Sequence, residues 1–125
     1  MLKHIHSVVL FVPDIAAAAR WYAEVFGADV KWENAQFAFI EGPGVRIGFH
    51  PSDHKCPAGP GGTTVYWEVN DVAQTIELLT ERGARLHRGP GSTALGDAIA
   101  MLIDPFGCTI GLLAPAPSVT ANVPA

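Results

Sequence analysis

Basic residues are few: eight lysines and arginines stand against twelve acidic residues, for a formal net charge of −4. A nucleic-acid surface needs a basic stripe to neutralise phosphates, and eight scattered cations make none, so that class of partner is excluded. Long apolar runs are missing too, and none approaches the roughly 20 residues that cross a bilayer. The opening Met1-Leu2-Lys3-His4 leads straight into a strand pattern, so no signal peptide is expected. Cysteine is limited to Cys56 and Cys108, which make neither a disulfide framework nor a CxxC motif. A cytoplasmic location with both thiols free is the economical reading. What the chain does have is apolar surface, 49% of its residues against 16% charged, and its 125 residues are enough for one globular domain with a generous core.

The chain is organised around Ser7 to Gly27. Ser-Val-Val-Leu-Phe-Val has the β-branched apolar pattern of a strand, Pro13-Asp14 is a turn, and Ile15 to Phe26 has helical period. Asp14 is the expected N-cap and Gly27 the left-handed stop. That helix is expected to bury Ile15, Ala18, Ala19, Tyr22, Val25 and Phe26 and to expose Arg20, Ala23 and Glu24. The same grammar returns at Thr64 to Gly83. Asp71 repeats Asp14, Val69 repeats Val12, Val65 repeats Val8, Thr64 repeats Ser7, and a second helix runs from Asp71 through Arg82. An internal repeat of a strand-turn-helix unit means two similar modules.

Between and after these units the remaining strands follow. Asp29 to Glu33, Phe37 to Ile40 and Arg46 to His50 belong to the first module, with a turn at Glu41-Gly42-Pro43-Gly44. Pro51 to Gly62 is rich in breakers and reads as a linker. The second module continues with strands at Arg85 to Arg88, Ala98 to Ile103 and Thr109 to Leu113, a loop starting at Gly89-Pro90-Gly91 and a turn at Asp104-Pro105-Phe106-Gly107. The organisation is therefore one domain, 1–113, of modules 4–50 and 63–113 joined by a linker, 51–62, with a proline-rich extended tail at 114–125.

Strand parity sorts the side chains. Val8, Leu10, Val12, Ile47 and Phe49, with Val65, Trp67, Val69, Ile110 and Leu112, are all large and apolar and form the face that the helices cover. The other face carries Ser7, Val9, Phe11, Arg46, Gly48 and His50, then Thr64, Tyr66, Glu68, Thr109, Gly111 and Leu113. Glycines, hydroxyls, aromatics and single charges do not pack a dry core. They line a concave pocket in which a few polar groups orient a mostly apolar ligand.

Leu10-Phe11-Val12-Pro13-Asp14, Trp21-Tyr22, Phe26-Gly27, Val69-Asn70-Asp71-Val72, Arg82-Gly83-Ala84, Arg88-Gly89-Pro90, Asp104-Pro105-Phe106-Gly107 and Ile110-Gly111-Leu112 follow one another in order. With the internal repeat, they make the chain resemble the vicinal oxygen chelate superfamily of glyoxalase I, extradiol dioxygenases and the fosfomycin and bleomycin resistance proteins, over Ile5 to Leu113. The resemblance implies an α+β fold: two βαβββ modules forming curved mixed sheets around a cavity. It also implies a divalent metal held by one His, Gln or Glu from each of four strands, acting as Lewis acid and template. Carried over, those four positions fall on Ser7, Gly48, Thr64 and Gly111. Two have no side chain and two offer a neutral hydroxyl, so the standard metal site is expected to be missing and no cofactor is expected. A displaced divalent-metal site built from His50 and Glu68, with His54 and Cys56 nearby, is the alternative.

Two functions follow. In the first, the protein binds a small organic molecule unchanged, as the metal-free bleomycin-resistance branch does, with Phe11, Arg46, His50, Tyr66 and Glu68 as ligand-binding residues. Phe11 and Tyr66 would stack on the ligand, Arg46 and His50 would meet an anionic or carbonyl oxygen, and Glu68 would accept from the ligand or neutralise Arg46. In the second it is an enzyme, either a metal-dependent lyase, isomerase, transferase or dioxygenase with a displaced site or a metal-free one with His50 as base and Glu68 orienting it. Cys56 carries no sign of activation, and the Asp104 turn and Trp67 read as structural. The resemblance further implies a homodimer.

Overall fold

The computed structural model describes residues 1–117. It divides into two compact units, one of residues 1–59 with 106–108, the other of 60–105 with the residues from 109 onward. Each unit holds a four-stranded mixed sheet and one helix, the βαβββ arrangement that the repeat predicts.

In the first unit β1 (Ser7–Val12) leads into α1 (Ile15–Phe26), followed by β2 (Lys31–Asn34), β3 (Phe37–Gly42) and β4 (Val45–Pro51), in the spatial order β1-β4-β3-β2. β1 runs parallel to β4, and the other pairs are antiparallel. Asp14 accepts a 3.0 Å hydrogen bond from the Ala17 backbone N–H at the start of α1. Gly27 closes the helix at φ 63°, and the next residue, Ala28, donates back to the Ala23 carbonyl. α1 packs on β3 and β4. Its alanines at 18 and 19 are fully buried and let the helix sit close to the sheet, while Tyr22 lies 5.5 Å from Phe49, ring to ring. Ala23 is buried as well, at 7% exposure, and corrects the expectation that it faces solvent. It stands one turn after Ala19, and a methyl group at the margin of a buried stripe lies too close to the helix axis to reach water.

The second unit repeats the plan. β5 (Tyr66–Glu68), α2 (Val72–Glu81), β6 (Arg85–Ser92), β7 (Ala98–Ile103) and β8 (Thr109–Ala114) lie in the order β5-β8-β7-β6, with β5 parallel to β8. Asp71 caps α2 through the Gln74 N–H at 3.0 Å, and Gly83 follows the helix at φ 99°. α2 packs against β6, β7 and β8. The helix-covered positions Ile110 and Leu112 are buried, as are Val12, Ile47 and Phe49 in the first unit; Trp67, opposite Leu112, is half-buried.

Several strand boundaries move from their expected places: β3 runs on to Gly42 into the expected turn, β4 gains a residue at each end and β8 one at its end. β2 begins at Lys31 rather than Asp29, because the residues just after α1 are drawn into closing the helix. β5 shrinks to Tyr66–Glu68, although hydrogen bonds from Gly111 N to Val65 O and from Val69 N to Leu113 O continue the pairing at both ends. β6 does not stop at Arg88. It runs through Gly89-Pro90-Gly91 to Ser92 with register shifts on both sides of Arg88, so that Arg88 faces Met101 and Gly91 faces Ile99. Pro90 has no N–H to donate, and a bulge carries the strand past it. The expected turn at Asp104 to Gly107 is present, and Phe106 packs edge-on to Trp21 at 6.3 Å, a structural use of that motif. Of the expected proline-rich tail, residues 118–125 lie outside the described residues, while Ala116 N donates to Asp97 Oδ1 at 2.8 Å.

Candidate functional site

On the open face of the first sheet, β1 presents Val9 and Phe11 beside Gly48 and His50 of β4. β3 adds Phe37, Phe39 and Glu41, which alternate with the buried Ala38 and Ile40. The Phe37 ring lies directly on Gly48: a Cβ at that position would collide with the ring tip, Phe37 Cζ. Phe11 and Phe37 flank the His50 imidazole, with centroids 5.4 and 6.5 Å away. His50 Nδ1 is 2.9 Å from the Pro51 carbonyl. A carbonyl only accepts, so this contact places the proton on Nδ1 and leaves the Nε2 lone pair as the basic atom.

Arg46 is already occupied. Its Nε and Nη2 donate to Glu41 Oε1 at 2.9 and 2.7 Å, and the guanidinium lies 4.0 Å over the Phe39 ring. Glu41 sits directly across from Arg46 in the β3–β4 register, so the nearest neutralising carboxylate comes from the neighbouring strand. The pair is partly exposed and adds little stability, but it fixes the guanidinium flat against Phe39.

The second sheet has its own open face. Tyr66 is paired with Gly111, and its ring covers that glycine so closely that a Cβ there would come within 2.6 Å of both Cγ and Cδ1. Thr64 Oγ1 donates to Thr109 Oγ1 at 2.9 Å, with Met101 Sδ 4.0 Å away. Glu68 is exposed on the same face as Tyr66. Between Tyr66 and β6 lies a cleft of about 230 Å³, lined by Tyr66, Arg88, Ser92, Ile99 and Met101 with the bare backbone of Gly89 and Gly91. Drug-sized ligands fill roughly 300–1,000 Å³, so this cleft suits a small molecule or one end of a larger one.

Of the four positions Ser7, Gly48, Thr64 and Gly111, the last three are filled or engaged in ways that do not fit a metal ligand. At Gly48 and Gly111 aromatic rings take the space that a ligating side chain would need, and the Thr64 hydroxyl is engaged with Thr109. Among the described residues, no three of His, Cys, Asp and Glu are placed to hold an ion together. His54 and Cys56 belong to a loop turned by Asp53, whose Oδ1 accepts from the backbone N–H groups of Lys55 and Cys56.

Phe37, Phe39, Glu41, Arg88 and Met101 are additions to the residues singled out by sequence. The signal for the first three was the alternation Phe-Ala-Phe-Ile-Glu on β3, which sorts by the same parity as the other strands. Arg88 had none, because the bulge that sets its direction is not encoded by a period.

No curated protein matches the chain by sequence. Solved structures do match its fold. A glyoxalase-related enzyme from Fulvimarina pelagi is 23% identical with a TM-score of 0.71, over 90% of this chain and 88% of that one. TnmS3, an antibiotic-binding protein from Streptomyces sp. CB03234, is 24% identical with a TM-score of 0.72, over 92% and 98%. A protein from Agrobacterium tumefaciens reaches a TM-score of 0.77 at 19% identity, over 93% and 100%. The family model for the glyoxalase/bleomycin resistance protein/dioxygenase superfamily matches residues 4–112, and the chain belongs to that superfamily.

Proposed function

We propose that the protein binds a small organic molecule with a planar apolar body, and that it does so without a metal. The observation that carries this reading is the pair of rings, Phe37 on Gly48 and Tyr66 on Gly111, standing where two metal-ligating side chains would be required. Flat apolar surface with a few polar groups beside it is what stacks on a planar ligand. That a protein of the same fold, TnmS3, binds an antibiotic supports the same class of ligand.

The test combines metal analysis of the purified protein with a thermal-shift screen against divalent ions and aromatic compounds. Background metal content and stabilisation by an aromatic compound are expected. Tyr66→Ala should then weaken binding of that compound by about 1–3 kcal/mol, the loss typical of a central aromatic contact. A stoichiometric divalent ion in the parent, lost in Ser7→Ala or Thr64→Ala, would sink the metal-free reading.

The tautomer at His50 favours a second reading, a metal-free enzyme in which Nε2 takes a proton from the ligand. Turnover of the bound compound, abolished in His50→Ala with binding retained, would select it. We also infer that the protein works as a cytoplasmic homodimer. No described helix is long and apolar enough to cross a membrane, neither cysteine is in a disulfide, and the outer strand β2 leaves Trp32 49% exposed. Sedimentation at micromolar concentration should give twice the 13.2 kDa chain mass, and a single 13.2 kDa species counts against pairing.

A further inference from the structure

We propose that the ligand is an anion, and that Arg88 is the residue that reads its charge. The proposal rests on the small-molecule reading above and names the ligand class. Arg88 lines the cleft beside Tyr66. Its place there is set by the β6 bulge: the register puts Arg88 opposite Met101, and Met101 opposite Gly111, the residue beneath the Tyr66 ring. One face therefore carries, from edge to interior, a guanidinium, a thioether and a phenol ring. Ser92 supplies a hydroxyl at the same cleft, and Gly89 and Gly91 leave it open because they add no side chains.

The electrostatic contrast with Arg46 is what points to an anion. Arg46 is committed to Glu41 and Phe39, whereas Arg88 has no ion-pair or hydrogen-bond partner among the described residues. Arg85, also unpartnered, precedes it on β6 and faces the same side, opposite Ile103. No carboxylate lines the cleft, and Glu68 of β5 is separated from β6 by β8 and β7. In a chain of net charge −4, two unpaired cations on one edge strand beside an apolar cleft are a local reversal of sign. A guanidinium binds a carboxylate with two parallel N–H donors, and the planar body attached to that carboxylate would then lie toward Tyr66. The ligand class is a planar, unsaturated or aromatic carboxylate.

The test uses 2-naphthoate and its neutral amide, 2-naphthamide, titrated into the intact protein. The parent should bind the carboxylate about tenfold more tightly than the amide, the scale of one charge-assisted contact in a solvent-open cleft. Arg88→Gln should remove that preference while leaving amide binding and the thermal midpoint unchanged, since the side chain is exposed and unpartnered. Arg46→Gln should keep the preference. Equal binding of acid and amide by the parent, or a preference that survives Arg88→Gln or is lost instead in Arg46→Gln, overturns the proposal. If the amide alone binds and Tyr66→Ala abolishes it, the anion proposal fails and the small-molecule reading stands. If neither compound binds at millimolar concentration, both fail for planar aromatic ligands.

Discussion

Gly111→Ala is expected to lower stability by about 1–3 kcal/mol, the range for forcing an extra methyl group into filled space. The new Cβ would meet the Tyr66 ring at its root, 2.6 Å from Cγ and Cδ1 and 2.9 Å from Cδ2, where a ring cannot tilt away without changing χ1. Backbone preference runs the other way. Gly111 is a strand residue without a positive φ, and glycine inside a strand is less favourable than alanine by roughly 0.5–1 kcal/mol. The sign of the substitution therefore depends on the ring. In a Tyr66→Ala background, Gly111→Ala should become stabilising by about 0.5–1 kcal/mol, because the clash is gone and only the backbone term remains. Urea denaturation of the four proteins closes this cycle. An equal cost in both backgrounds would mean that the ring does not occupy the glycine. Gly48→Ala should cost less, since it meets only the tip of Phe37, which moves furthest for a small rotation.

Phe49→Ala should cost more than any substitution on the open faces, about 3–5 kcal/mol. Phe49 is fully buried on the helix-covered side of β4, in ring contact with Tyr22 of α1. Its loss removes the transfer energy of a whole ring and leaves a cavity that two strands and a helix cannot collapse to fill. Against a total of about 5–15 kcal/mol for a domain, the variant would keep little reserve. Phe37→Ala is the matched control, since its ring is half-buried and lies on the opposite face. Chemical denaturation should rank Phe49→Ala well above Phe37→Ala. The reverse order would mean that the two strand faces are exchanged, and every site residue named above would go with them.

Local rules made much of this fold readable. Asp14 and Asp71 cap their helices through the N–H three residues on because a carboxylate in extended backbone satisfies free donors wherever it occurs. Gly27 and Gly83 take positive φ because helix closure there needs a residue without Cβ. Period-two alternation separated Val8 from Val9 and Ile47 from Gly48, since strand geometry puts neighbours on opposite faces. These are short-range constraints, and the internal repeat states them twice.

What only the tertiary structure decided are the pairings across strands. Gly48 and Gly111 read in sequence as positions without a side chain; which rings fill them depends on Phe37 and Tyr66 arriving from other strands. Arg46 reads in sequence as a lone charge on a ligand-lining face, and the β3–β4 register is what sets Glu41 across from it. Gly89-Pro90-Gly91 reads as a loop by composition, yet an edge strand tolerates a residue without an N–H, and the resulting bulge aims Arg88 into the cleft. Sequence determined the elements and their faces because those follow from neighbours along the chain. Register and bulges set which side chains meet, and they are properties of pairs of strands that no single segment contains.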